Sequence, residues 1–123
     1  VYTRNNYTSK KIEKYKGVKL IHLPTIPTKH LDAAFHTLLA SLDVLKRDVD
    51  IIHYHSIGPC LFIWIPKLFK RKAKIIATVH CRDYEHKKWS NIAKFFLKLG
   101  ERFACKFSDR TITVSKTLND YLR

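Results

Sequence analysis

Short apolar runs alternate along this chain with longer stretches in which apolar residues recur every three or four positions. The runs are Val18-Lys19-Leu20-Ile21-His22-Leu23, Asp50-Ile51-Ile52-His53-Tyr54-His55, Lys74-Ile75-Ile76-Ala77-Thr78-Val79-His80 and Arg110-Thr111-Ile112-Thr113-Val114. Each is rich in β-branched residues and nearly continuous in apolar character, which is how strands covered on both faces read. Val1-Tyr2-Thr3 reads as one more strand, already under way with no turn before it. With Val first and no Met in the sequence, the chain reads as a fragment.

The intervening stretches have helical spacing. Leu31, Ala34, Phe35, Leu38, Leu42 and Leu45 predict a helix from Lys29 to Arg47. Gly58-Pro59 opens the next, because the missing N–H of Pro59 costs nothing in a first helical turn. That helix carries Leu61, Phe62, Ile65, Leu68 and Phe69, and Pro66 should kink or shorten it. A long helix from Lys87 to Phe107 has Trp89, Ile92, Phe96, Leu99, Phe103 and Phe107 down one side. Ser115 is placed to cap a last helix through Leu118, Tyr121 and Leu122. Strand and helix in alternation predict βαβ units with right-handed crossovers and a doubly wound α/β fold on a mostly parallel sheet. Residues 5–16 are polar and basic and read as a loop.

Composition narrows the picture. At 123 residues there is room for one domain with one ordinary core, and the 46% apolar share excludes a disordered tail. Cysteines at 60, 81 and 105 include no Cys-x-x-Cys pair, so zinc-ribbon and dithiol redox motifs are unsupported and reduced, cytoplasmic thiols are expected. No apolar leader follows Val1, and the most hydrophobic stretch, Ile57 to Ile65, is half a membrane span. Lys and Arg number 24 against 10 acidic residues, a net charge of +14, which calls for an anionic partner.

Ligands of parallel α/β sheets bind beyond the carboxyl ends of the strands. Those positions are Pro24-Thr25, His55-Ser56-Ile57-Gly58, His80-Cys81-Arg82-Asp83 and Ser115. Two turns thus deliver a His to one rim, one of them adding an Arg and an Asp, and Gly58 leads into a helix whose free N–H groups suit an anion. Such a rim is chemically suited to a sugar nucleotide or another phosphate ester.

Asp50 through Pro59, Thr78-Val79-His80, Lys88-Trp89, Leu97-Lys98-Leu99-Gly100-Glu101-Arg102 and Ser108 through Ser115, in that order and spacing, resemble the N-terminal domain of family 4 glycosyltransferases, most closely the bacterial exopolysaccharide and rhamnosyltransferase-like branch. The resemblance implies a GT-B fold, two Rossmann-like domains with the active site in the cleft between them. It implies transfer of a sugar from a nucleotide-sugar to a glycan or lipid-linked acceptor, with retention at the anomeric carbon and generally no metal or other cofactor. His80 matches the family His that contacts the donor sugar and assists at the reacting centre. His55, Ser56 and Gly58 match the turn lining the cleft, and Arg82 and Asp83 fall in the loop facing the acceptor. The partner it implies is a C-terminal nucleotide-binding domain with paired glutamates.

The chain departs from that pattern in four places. Cys81 stands where the family has Gly, which restricts backbone φ. His86 stands where an Arg is common. The family's first strand and Gly-rich turn, in the middle of its sheet, are missing, as is the whole C-terminal domain. The fragment alone is therefore expected to be inactive.

Other readings compete. His53, His55 and His80, with Cys81 or Asp83, could be drawn as a zinc site, though no tight ligand spacing accompanies them, and His53 also reads as a hydrogen-bonded core residue. Arg82 and Asp83 could form an exposed structural ion pair. Lys94, Lys98, Arg102 and Lys106 recur every four residues as a cationic stripe. It is either a solvated helix face or an electrostatic docking surface for an anionic cytoplasmic leaflet, with the helix's apolar face reserved for the core. A basic module binding RNA or DNA is a further alternative, but no nucleic-acid motif is present and none is expected as partner.

Overall fold

The computed structural model describes residues 1–4, 12–26, 28 and 32–122. Its strands are β1 (Tyr2–Arg4), β2 (Lys14–Tyr15), β3 (Val18–Lys19), β4 (Ile21–Leu23), β5 (Ile51–His55), β6 (Lys74–Val79) and β7 (Arg110–Thr113). Its α-helices are α1 (Asp32–Asp43), α2 (Trp64–Phe69), α3 (Asn91–Phe107) and α4 (Lys116–Leu122). The expected α/β alternation and parallel pairing are both present, in a partial Rossmann-like domain. β5, β6 and β7 form one parallel sheet in that order, with Ile52 opposite Ile75 and Thr78 opposite Ile112.

The sheet is not continuous. β1 pairs in parallel with β4 as a separate two-stranded sheet. Between the edges of β1 and β5 lies a cavity of about 1030 Å³, lined by Tyr2, Arg4, Ile51, His53 and, from α1, His36. Lys14–Tyr15, in the basic stretch expected to be a loop, pairs as β2 with β3 in a hairpin joined through Lys16 and Gly17 at φ of 46° and 86°, so the single strand expected over Val18–Leu23 is divided into β3 and β4. Positive φ at both central residues suits the twist of a two-residue hairpin, and Gly17 adopts it without a Cβ clash. Residues 5–11 lie outside the described residues, as does Leu31 of the expected first helix.

The strands also differ in how they are covered. β6, flanked on both sides, buries Ile75, Ala77, Thr78 and Val79, as a two-faced strand should. β5 alternates, with Ile52 and Tyr54 buried and Ile51, His53 and His55 exposed. β7 is the sheet edge and is largely exposed. Asp109 fastens it to β6, accepting from the Ile75 N–H at 2.8 Å and from Lys67 at 2.8 Å. These two contacts, Lys67 first, hold its carboxyl below the ordinary aspartate range.

The helix expected from Gly58 is divided. Pro59–Phe62 is a 3-10 turn, and α2 starts only at Trp64, which places Pro66 in the first helical turn where no N–H is required. α3 begins at Asn91 rather than Lys87, because the Ser90 side chain accepts from the Ala93 N–H and caps it there. Ser115 caps α4 as expected, accepting from the Leu118 N–H at 3.2 Å.

Candidate functional site

The carboxyl ends of β5 and β6 open onto two adjacent turns. After β5 the chain reverses at Ser56, which has φ of 73°, a conformation that costs a non-glycine residue energy and persists only when its surroundings enforce it. Three contacts do so. The Ser56 N–H donates to the Thr78 carbonyl at 2.8 Å, its hydroxyl donates to Asp83 Oδ2 at 2.9 Å, and its carbonyl accepts from the Cys60 thiol at 3.2 Å. Beneath this turn Gly100 of α3 comes so close that a Cβ there would lie 2.2 Å from the Ile57 carbonyl oxygen. α3 therefore supports the turn directly, and only glycine permits the approach.

Three imidazoles line up beside the turn. His53 Nε2 bonds Thr78 Oγ1 at 2.7 Å, and its ring centroid lies 4.0 Å from that of His55. His55 in turn stacks with His80 at 5.8 Å and an interplanar angle of 18°. Burial, then the charges of His55 and His80, lower the His53 pKa. His53 is thus hydrogen-bonded as expected, although it faces outward rather than into the core. His55 and His80 are exposed, and neither ring makes a hydrogen bond among the described residues. The rings stack instead of converging as metal ligands would.

The loop after His80 continues the rim. Cys81 takes the place of the family glycine without a positive φ, so its side chain imposes no backbone strain. Its thiol donates to Asp83 Oδ1 at 3.1 Å, which raises its pKa and keeps it protonated. Asp83 thus receives one hydrogen bond on each oxygen, from Ser56 and from Cys81. Potential ligand atoms of Cys81, Asp83 and His86 lie within 4.8 Å of one another. Arg82 pairs with Glu85 at 2.9 Å, not with Asp83, and its guanidinium sits 4.7 Å from the centroid of the Tyr121 ring.

A family model for Glycosyltransferase Family 4 matches residues 1–123. The chain belongs to glycosyltransferase family 4. Searches of curated proteins and of solved structures gave no match.

For this glycosyltransferase domain, the structure brings His55, Ser56, His80 and Asp83 together at one rim and places Gly58 two residues beyond Ser56. Gly58 has φ of −58°, and a Cβ there would make only ordinary contact with Leu97 at 3.6 Å, so no conformational need for glycine exists at that position. The 3-10 turn that follows is too short to act as the helix N-terminus expected to hold an anion. Arg82 is engaged by Glu85 and Tyr121 behind the rim.

Sequence reasoning missed the buried network that fixes this loop. Tyr84 donates to Glu101 at 3.2 Å, and the Tyr84 and Tyr121 hydroxyls lie 3.0 Å apart. Burial raises the Glu101 pKa, and the two tyrosine hydrogen bonds partly offset that rise. The available signal was Gly100 inside an otherwise helical pattern, a mark of close packing at that level of α3.

Proposed function

We propose that this domain forms the acceptor side of a retaining GT-B glycosyltransferase, which moves a sugar from a nucleotide-sugar to a glycan or lipid-linked acceptor. The observation that carries the reading is the rim itself. His80 and His55 stand exposed at the carboxyl ends of adjacent parallel strands, over a turn locked by the Ser56–Asp83 hydrogen bond. A C-terminal nucleotide-binding domain closes the cleft from the opposite side and holds the diphosphate.

In this arrangement His80 donates a hydrogen bond to the donor sugar near its anomeric carbon. Its position directly after β6, the most buried strand, fixes the ring's backbone while leaving the ring exposed to meet substrate. Ser56 and Asp83 set the shape of the cleft floor, and His55 stacks against His80 and limits its rotation. Arg82 acts through position, tying the loop to α4. On this reading the nucleotide is held outside residues 1–123, and these residues alone are expected not to turn over.

The test is a donor panel of uridine, guanosine and thymidine diphosphate sugars, with the full-length protein and a mixture of lipid-linked and glycan acceptors. The expected result is release of nucleoside diphosphate from one donor, with a product linkage of the same anomeric configuration as that donor. Release from none, or an inverted linkage, overturns the proposal.

A further inference from the structure

α3 carries more apolar surface than the core takes up. At about 100° per residue, the arc from Phe95 round to Leu97 spans roughly 200°, where packing on a core needs little more than half of that. The excess is visible at the first two turns. Ile92 is 72% exposed, Phe95 62% and Phe96 48%. These three stand at i, i+3 and i+4 and therefore share one face, with the two phenyl rings edge to face at 5.6 Å. The sequence expectation that Ile92 and Phe96 belong to the core side is corrected by these exposures.

Between residues 87 and 107 the charges at the surface have one sign. Lys87 and Lys88 precede the helix, and Lys94, Lys98, Arg102 and Lys106 run along it. The one carboxylate of α3, Glu101, is buried against Tyr84 and Tyr121 and does not offset them at the surface. The helical wheel puts the cationic stripe directly beside Phe95, so cations border the apolar face. Trp89, half-buried just ahead of the helix with the Lys88 ammonium 5.2 Å from its ring centroid, adds an amphipathic ring of the kind that settles at a membrane–water interface.

We propose that the amino-terminal half of α3 docks this protein on an anionic lipid bilayer, with Ile92, Phe95 and Phe96 entering the interface and the flanking lysines pairing with lipid phosphates. The charge pattern selects this occupant, since an exposed apolar patch with a cationic stripe along one side matches a negatively charged headgroup layer. The stripe alone would supply attraction without depth, and the exposed aromatic face supplies the depth. The proposal stands on the helix and does not depend on the sugar-transfer reading.

The experiment is co-sedimentation of the protein with vesicles of phosphatidylcholine containing 30 mol% phosphatidylglycerol (about a third anionic, near the charge of an anionic leaflet), against pure phosphatidylcholine. The expected result is binding to the anionic vesicles only, reduced ~10-fold or more both by Phe95→Ser/Phe96→Ser and by Lys94→Glu/Lys98→Glu. Phe95→Trp is the fold-preserving check, since its fluorescence should shift to the blue on anionic vesicles and be quenched by brominated acyl chains. Wild-type binding by the double serine variant, or no quenching of Phe95→Trp, overturns insertion. Failure of the unmodified protein to bind anionic vesicles while it shifts duplex or single-stranded nucleic acid overturns the proposal entirely.

Discussion

Around β6 apolar side chains close completely on one another, with Ile57, Ile63, Ile75, Ala77 and Val79 all shielded from solvent. Around β1 and β4 every strand residue is only half-buried. Polar contacts join those strands to α1: Arg4 to Asp32 at 2.7 Å, and Asp43 to both Tyr2 at 2.9 Å and Arg47 at 2.5 Å. A buried His36, whose Nδ1 has no hydrogen-bond partner and whose pKa is lowered first by burial, faces the cavity between the two halves. The contrast shows where this fold can hold a site steady. The histidine rim grows from the half in which packing leaves no slack, while the other half rests on a few partly solvated pairs that each contribute modestly.

The largest expected effect strikes the packed half. Gly100→Ala forces a Cβ into the Ile57 carbonyl and must push α3 away from the Ser56 turn, at a cost of about 3 kcal/mol or more. Urea unfolding should show a lower midpoint with an unchanged slope. Asp43→Ala, in the open half, removes the partner of Tyr2 and Arg47 together and should cost about 1–2 kcal/mol. Hydrogen exchange should then accelerate in Tyr2–Arg4 and Ile21–Leu23 and stay slow in β6; acceleration in β6 as well would erase the distinction between the halves. Arg47 first, then Tyr2, holds the Asp43 carboxyl below its ordinary range, against some desolvation. Its contribution is therefore present above the unfolded aspartate pKa near ~4 and is lost as pH falls through the lower folded value.

The smallest effect has the opposite sign. Burial raises the Glu101 pKa, so the folded state binds its proton more tightly than the unfolded chain does. That contribution is fully present below the unfolded glutamate pKa near ~4.3 and is lost as pH rises through the folded value. Glu101→Gln keeps an acceptor for Tyr84 and removes the buried charge. It should raise stability by roughly 0.5–1 kcal/mol at pH 7 and by nothing at pH 4, read from paired thermal melts. A loss of stability at pH 7 would mean that the ionised carboxylate holds the loop.

Much of this architecture is written in the sequence. β-branched runs located β5, β6 and β7 within a residue or so, and Ser115 marked the cap of α4, whereas the Ser90 cap of α3 went unread. The β2–β3 hairpin escaped because Lys14–Tyr15 is short, polar and wholly exposed, while Val18–Lys19 was absorbed into one apolar run reaching Leu23. Periodicity found the apolar arc of α3 but could not divide it between core and solvent, since that division depends on what packs there. The positive φ of Ser56 is invisible in a residue that is not glycine. Glu101 resembles any charged helix position until Tyr84 and Tyr121, from distant parts of the chain, cover it.

In the proposed role the exposed His80 imidazole meets the reacting sugar, while the turn beneath it is architecture. The direct measurement is the sugar-transfer rate of full-length His80→Ala beside that of Arg82→Ala, with thermal melts confirming that both fold. His80→Ala should lower kcat by ~10²-fold or more at an unchanged Tm, and Arg82→Ala, whose side chain is turned toward Glu85 and Tyr121, should lower it far less. Undiminished turnover in His80→Ala would contradict the account.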